Sequence, residues 1–565
     1  MFNFPGLPEH LVEDVMTCGF LGTKDVLNLG STCKKLWGIS KRNLVWKKLF
    51  KLKFPYLLNK ESNLEVVLQS LVITDGSNTL VGNHWMDVYH QTNLIIKALN
   101  EISTTHNTNL QLDDEDFETL LNYSKQFTFK LVLCILRCLV DKPRDLTTTY
   151  YANKALVYLK CCSLTEEIKQ LVETPDPSMT LLMQGAMLVS DWFKVQTDID
   201  QSEVKDFIRT SAQLIRDRSC DLTLLQAANH IFQQNFSGNQ QNYYDISNSF
   251  IDDVIKTQRG IPITLCLIFR EISSHVGLNL HPVACPSHFL LRMTNPGGHK
   301  FIDVFNDGKV QTFEELGLKE ELLKTTTNVE VLSRICRNIN AHSKYNNTTD
   351  PSLAERVLNL SVLLEPTSEI NRAERLKFLF RINKNLHTML EDNTLVGEEF
   401  RGVAGIASRE VIEARILSSI KLKMKEKKKT RKIKFRSADE NARVMFSVGT
   451  VTRHLKYGYV CVVRGWDNYC DMSVRWQRLM GIPQLNDGAT QPYYNVLVHE
   501  DGSERYAAQE NLEVLKGGLA VEHEEIGKYF QSIKHDDGKI YYEPNQQLKL
   551  EYPEDMAHTI TLCQQ

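Results

Sequence analysis

The side chains of this chain best equipped for chemistry fall within one stretch, Tyr243–Val310. It holds two thiols, Cys266 and Cys285, the hydroxyl of Thr264, the imidazole of His288 and the carboxylate of Asp303. Thiol, imidazole and carboxylate are the ingredients of covalent catalysis, provided a base or a positive helix end ionises the thiol. The elements that must position them can be read from local signals. Pro262, in Arg259-Gly-Ile-Pro262, suits the first turn of a helix running to about Val276, and Gly277 suits its C-terminal cap. Strands are expected over Leu278–Ala284, His288–Met293 and Phe301–Phe305, the last closed by Asn306-Asp-Gly308. In this frame Cys266 lies about one turn inside the helix, where the dipole no longer assists a thiolate. Thr264 offers an unactivated secondary alcohol, and Cys285 sits on a strand or its edge. The bland expectation is a buried core Cys266, a loop Cys285, and His288 with Asp303 as a polar brace.

At 565 residues the chain is too long for one ordinary core, and three or four domains are expected. Charged residues make up 24% and hydrophobic ones 42%, a normal balance for a globular chain. A formal charge of −3 gives no overall pull toward nucleic acid or anionic membrane. Met1–Pro8 has neither the basic nor the apolar region of a secretory signal. Phe127–Val140, the most apolar stretch, is interrupted by Lys130 and Arg137 and is too short to cross a bilayer. Thirteen cysteines form no Cys-x-x-Cys pair, which suits reduced thiols in a cytoplasmic or nuclear protein without a zinc site. No cofactor is expected.

Residues 4–50 read as three or four very short helices. Leu11, Val12, Val15 and Met16 share one face behind Leu7-Pro8, and Thr23, Ser31 or Thr32, and Asn43 are the expected caps of the helices that follow. So short a helical segment makes a poor core by itself, and an apolar face left over should find a partner. From Gly82 to Gln234 the pattern is mostly helical, with a break at Pro175-Asp-Pro177. Lys421–Arg436 holds ten Lys or Arg against the single acid Glu426. Its simplest reading is a solvated linker or the exposed end of a helix, with nuclear targeting or phosphate binding as the alternative.

Beyond it, short β-rich runs at Tyr459–Val463, Tyr493–Val498 and Arg505–Ala507 alternate with turn signals such as Asp501-Gly502. Those runs predict a small β-barrel. Between Arg443 and Asp555 there are 12 Lys or Arg and 17 Asp or Glu, a net charge of −5. Phosphate binding needs a basic face, so DNA is disfavoured unless the fold gathers Arg453, Lys456, Arg464, Arg475 and Arg478.

Three resemblances accompany these patterns. Leu7-Pro8, Asp25-Val-Leu27, Cys33-Lys-Lys-Leu36 and Leu44-Val-Trp46, in that order, resemble an F-box. This implies docking on the Skp adaptor of a cullin–RING ubiquitin ligase, with Leu7, Pro8, Leu11, Val15 and Trp46 at the motif's apolar positions. Asn248-Ser-Phe250, Arg259-Gly-Ile-Pro-Ile-Thr264, His288-Phe-Leu290 and Phe301-Ile-Asp303 resemble the SirB-type branch of the transglutaminase-like fold. Active members of that fold set a Cys at the start of the central helix, near a His and an Asp on successive strands. His288 and Asp303 match the last two, but the nucleophile position falls near Pro262 or Ile263, neither a thiol, which implies a vestigial pair. Phe446-Ser-Val-Gly449, His454, Tyr457-Gly-Tyr459, Gly465-Trp-Asp467, Gln491-Pro-Tyr-Tyr494 and Glu510-Asn-Leu512 resemble the YccV/HspQ family. That family was once described as binding hemimethylated DNA and includes adaptors that hand clients to proteases.

The fold class expected is therefore multidomain α+β. An F-box (1–55) precedes a helical scaffold (56–184) and a transglutaminase-like domain with a helical tail (185–395). A helix and basic linker (396–440) then lead to a YccV-like β-barrel (441–565). The function implied is that of a non-catalytic client receptor in a Skp–cullin–F-box ligase, with no membrane association. Client-binding candidates are His454, Tyr457, Tyr459, Trp466, Tyr493 and Tyr494. The alternatives are a DNA-associated module and a weak transglutaminase- or protease-like enzyme.

Overall fold

The computed structural model describes the chain apart from residues 1–5, 58–83, 109, 128, 142–144, 219–222, 286–287, 296–297, 318–325, 346–350, 387–408, 429–431, 501, 516, 537 and 565. Asp501 of the expected Asp-Gly turn and the start of the expected scaffold helices at Gly82 lie outside the described residues. The fold is mixed α+β and divides into two units, Met1–Leu159 with Lys423–Gln565, and Lys160–Leu422.

The first unit opens with α1 (Glu9–Met16), α2 (Thr23–Ser31), α3 (Lys34–Ser40) and α4 (Asn43–Lys53). The last three begin beside the caps expected from sequence: Gly22, Cys33 and Arg42 take the N-cap positions, and none donates a side-chain cap. At α2 the missing cap is replaced from inside the helix, where the Asp25 carboxylate accepts the Gly22 N–H at 2.9 Å. Val12, Met16, Val26, Leu36, Val45 and Trp46 form the small core. Arg42 joins the segment's ends by pairing with Glu9 and Glu13. A 22-residue helix, His84–Thr105, then adds Tyr89 and His90 against Trp46.

The second unit carries α5 (Pro262–Ser274), buried along most of its length. It packs on an antiparallel meander of β1 (Leu280–Ala284), β2 (Phe289–Asn295), β3 (Gly298–Asp303) and β4 (Lys309–Gln311). The three strands expected from sequence are present with shifted ends, and β4 is an addition. Pro262 occupies the first turn of α5, and Gly277 takes the positive φ that ends the segment. The break at Pro175–Pro177 also holds, since one helix stops at Glu173 and the next begins at Leu182. Pro351–Leu364 and Glu369–Arg381 form the packed pair of the helical tail.

The first unit ends in a five-stranded antiparallel sheet of β5 (Val451–His454), β6 (Val460–Asp467), β7 (Tyr493–Val498), β8 (Glu504–Ala508) and β9 (Leu512–Val514). Its order is β8-β7-β6-β5-β9. The expected barrel is thus an open sheet. Closure would need β8 to pair with β9, but a 3₁₀ turn at Gln509–Asn511 carries the chain across to β5 instead. The exposed core is covered by other means, a hairpin of β10 (Phe530–Asp536) and β11 (Lys539–Pro544) and the helix α6 (Asp555–Gln564). Two of the sequence motifs meet beside it: the Gln491 side chain accepts the Glu510 N–H at 2.9 Å and donates back to the Glu510 carboxylate at 3.1 Å.

The first half of the basic run is the exposed helix end that is one of its two simplest readings, with Lys421, Leu422, Met424 and Lys425 exposed, although distant groups neutralise some of its cations. It continues the helix Arg409–Lys428, within which Lys423 is buried and donates to both carboxylate oxygens of Asp113 at 2.7 Å. Near the end of the run, Lys434 donates to Asp467 at 2.8 Å, and Arg436 donates to the carbonyl of Val444 at 2.6 Å. Composition reports charge and not the carboxylates and carbonyls that distant segments bring to it.

Candidate functional site

The helix start where a nucleophile is expected carries no thiol. Pro262 and Ile263 occupy it, and the Thr264 hydroxyl is consumed, donating to the carbonyls of Asn248 (2.8 Å) and Ile261 (3.1 Å). Cys266 is fully enclosed, with its Sγ 3.4 Å from the Phe289 carbonyl oxygen. Burial pushes its thiol far above the ordinary range, and the Asp303 carboxylate adds to that shift. Cys285 lies in the connection after β1, as expected, but is buried there, and its pKa is raised for the same first reason.

His288 and Asp303 do not act as a brace. Asp303 is buried and accepts from the Asn306 backbone (3.2 Å) and side chain (2.7 Å). His288 is exposed just before β2, and no hydrogen bond or ion pair joins its ring to Asp303. What holds the His288 segment is its carbonyl, which accepts from Cys285 N–H (3.0 Å) and Arg334 (3.2 Å). Arg334 also donates to the Cys285 carbonyl at 2.9 Å and lies 5.5 Å from the Phe289 ring centre. Sequence reading missed Arg334 because it lies 46 residues from His288 on a helix with no motif of its own. A cation here braces two carbonyls, and the geometry supplies no base for a thiol. We therefore expect iodoacetamide to alkylate exposed Cys18 readily and Cys266 at least ~100-fold more slowly in the native chain. Peptide mapping after a timed pulse checks this; fast labelling of Cys266 that disappears in His288→Ala would reveal an activated thiol.

The six client-binding candidates separate into two groups. Trp466, Tyr493 and Tyr494 are core residues and not a surface. The Trp466 indole donates to Asp555 (2.8 Å), the Tyr493 hydroxyl to the Gly488 carbonyl (2.8 Å), and the Tyr494 hydroxyl accepts the Met445 N–H (3.0 Å). Rings of this size bury well when their polar end finds such a partner. His454, Tyr457 and Tyr459 do assemble, at the turn between β5 and β6. The His454 ring centre is 4.9 Å from that of Tyr457 and 4.7 Å from that of Tyr459. Trp46 is likewise fully buried, its indole donating to the Ser40 carbonyl at 2.7 Å, so it shapes the N-terminal segment from within. Leu11 and Val15 are 42% and 37% exposed on α1, Pro8 is exposed and Leu7 half-buried. Of the basic residues a DNA face would need, Arg464 turns inward to Glu504 at 2.8 Å, and Arg475 and Arg478 sit apart on the short helix Val474–Leu479.

Among the described residues no group of side chains could hold a metal ion, and no helix is long and apolar enough to cross a membrane. Residues 200–340 match the family of the transglutaminase-like superfamily, and residues 444–537 match the family described as hemimethylated DNA-binding protein YccV like. The class defined is a chain with a transglutaminase-like domain followed by a YccV-like domain. Along almost its whole length it resembles F-box only protein 21. The human protein is 27% identical over 97% of this chain and 92% of its own length, and that of Pongo abelii is 26% identical over the same shares. A UPF0162 protein of Xylella fastidiosa (strain 9a5c) is 27% identical over 35% of this chain and 75% of its own. No solved structure is a significant match.

Proposed function

We propose that the chain is a substrate-recognition subunit of a Skp–cullin–F-box ubiquitin ligase, acting in the cytoplasm or nucleus. The observation that carries this reading is the likeness to proteins named F-box only protein 21, which spans 97% of the chain. The exposed apolar side chains of the N-terminal helices support it. Leu11 and Val15 lie on α1, with Phe20, Trp37 and Leu44 exposed on the segment that follows. Water-facing apolar groups on so small a helical segment favour burial against a partner.

A receptor of this kind does no bond chemistry. The N-terminal helices hold the adaptor, other surfaces hold a client, and a client lysine is kept near the charged ubiquitin-carrying enzyme at high effective concentration. The unactivated thiols of the transglutaminase-like domain accord with a non-catalytic role.

The test uses Leu11→Ala/Val15→Ala in the full chain, with adaptor binding measured by calorimetry. Truncating two interface anchors should weaken binding by about 10- to 100-fold, while both side chains are exposed enough to leave the melting temperature within a few degrees. Undiminished adaptor binding by the double variant, or none by the parent chain, removes the F-box assignment.

A further inference from the structure

The connection between β6 and β7, residues 468–492, is held in place from several sides. The Cys470 N–H donates to the Ala489 carbonyl (2.9 Å), and the Asp471 N–H donates to the Tyr506 hydroxyl (3.2 Å). The Glu510 carboxylate accepts the N–H groups of Asn486 (3.2 Å) and Asp487 (3.3 Å). Within the connection, the helix Val474–Leu479 is capped by Ser473, whose hydroxyl accepts the Trp476 N–H at 3.3 Å. Trp476 packs inward, on a cluster of Cys470, Ile482, Tyr493 and Ala508, with its ring centre 6.1 Å from that of Tyr506. The Gln477 side chain turns back to donate to the Met472 carbonyl at 2.7 Å.

These anchors fix what the opposite face presents. Val474 and Arg478 are one helical turn apart, as are Arg475 and Leu479, so the four share the face away from Trp476. Val474 is 61% exposed, Leu479 74% and the adjoining Met480 60%. Large apolar groups left in water on a pinned element, and not on a fraying end, favour burial against a partner. Arg475 and Arg478 are also exposed, and neither makes a hydrogen bond or ion pair among the described residues. Two acids of the same connection lie elsewhere: Asp487 pairs with Arg443 at 3.4 Å, and Asp471 lines a cavity with Arg464 and Tyr529. The helix therefore offers apolar side chains and uncompensated positive charge together.

We propose that Val474, Arg475, Arg478, Leu479 and Met480 form a docking surface for an acidic, amphipathic segment of a client protein. The inference rests on the receptor reading and gives the chemistry of its client. Charge complementarity selects the occupant: a segment that satisfies both kinds of group carries Asp or Glu beside large apolar side chains. A second copy of this chain does not fit, because a symmetric contact through this face sets Arg475 and Arg478 against their own copies. Duplex DNA supplies phosphates but nothing to cover Leu479 and Met480. An anionic bilayer is opposed by the net charge of −5 between Arg443 and Asp555.

The experiment immobilises the full chain and pans a display library of random dodecapeptides. Leu479→Ser/Met480→Ser and Arg475→Glu/Arg478→Glu are panned in parallel, because all four side chains are exposed and their replacement leaves the cluster under Trp476 intact. Peptides held by the parent chain should be enriched about threefold in Asp and Glu and in large apolar residues over the input. Each double variant should retain less than about one tenth of that capture. A selected peptide with Lys in place of its acids should bind the parent at least ~10-fold more weakly and the charge-reversed variant more tightly than the parent. That gain also shows that the reversed variant is folded. Equal capture by the variants, apolar peptides selected without acids, or no exchange of preference on charge reversal would overturn the proposal. So would binding to phosphatidylserine-containing vesicles, or dimerisation of the parent chain by light scattering, that Leu479→Ser/Met480→Ser abolishes. Adaptor binding by the same proteins separates the two readings. Its absence in the parent chain sinks the receptor reading alone, whereas acid-blind capture alongside normal adaptor binding sinks the docking surface alone.

Discussion

Gly449→Ala should destabilise the YccV-like sheet by about 4 kcal/mol, near the upper end of what single substitutions cost. Gly449 has φ +93°, a region that an L side chain enters only with strain. A Cβ at this position would lie 2.1 Å from the carbonyl oxygen of Tyr542, which belongs to the backbone of β11 and cannot rotate away. The same glycine donates to the Val463 carbonyl (2.8 Å), and its own carbonyl accepts the Tyr542 N–H (2.9 Å). Relieving the clash therefore means separating the hairpin from the sheet and losing at least one of these bonds. Hydrogen exchange read by mass spectrometry should show peptides from β5, β6 and β11 losing protection, while peptides from 160–422 are unchanged. Gly458→Ala is the control: it has a similar positive φ of +73° but nothing within 4 Å of a Cβ, so its cost should be about 1–2 kcal/mol. Equal effects for the two variants would mean that backbone strain, and not the contact with Tyr542, sets the cost.

Lys160→Met should cost the second unit about 3–5 kcal/mol, the range for breaking a buried ion pair by removing one partner. The ammonium of Lys160 is buried and donates to Asp191 (2.9 Å), Asp198 (3.2 Å) and the carbonyls of Lys194 (2.8 Å) and Thr197 (2.6 Å). Methionine fills the same volume without donating, so two acids and two carbonyls lose a cation they were folded around. Trp192 is buried and is the one tryptophan between 160 and 422, although five others lie outside that range. Replacing those five with Phe would confound the reading. Hydrogen exchange of peptides covering 182–200 is the cleaner measurement. Protection within about 1 kcal/mol of the parent would show that water replaces the ammonium at little cost.

Much of this protein was legible locally. The helix behind Pro262, its stop near Gly277, the strands around His288 and Asp303, and the break at Pro175–Pro177 depend on backbone preferences of a few neighbouring residues. The absence of a thiol at the start of α5 is likewise a matter of residue identity. Aromatic type was a weaker guide. Trp46, Trp466, Tyr493 and Tyr494 were singled out beside Tyr457 and Tyr459, yet the first four are core and Tyr457 is surface. Nothing in a Tyr or Trp distinguishes the two fates, because each ring carries both an apolar body and a polar tip. The difference is whether the fold supplies a partner for that tip, as Asp555 does for Trp466 from 89 residues away.

Tertiary structure also decided what the charged residues do. Lys423 reads as part of a solvated basic run until Asp113 arrives from 310 residues away. Arg464 and Arg505 are both basic β-strand residues, but a bulge between Val463 and Gly465 accompanies the turn of Arg464 toward Glu504, while Arg505 lies over Tyr459. Sequence determined the elements and the residue types at each position, since both follow from short-range sterics and polarity. Which cation is neutralised and which carboxylate is enclosed depends on contacts between distant segments, and those exist only once the chain has folded.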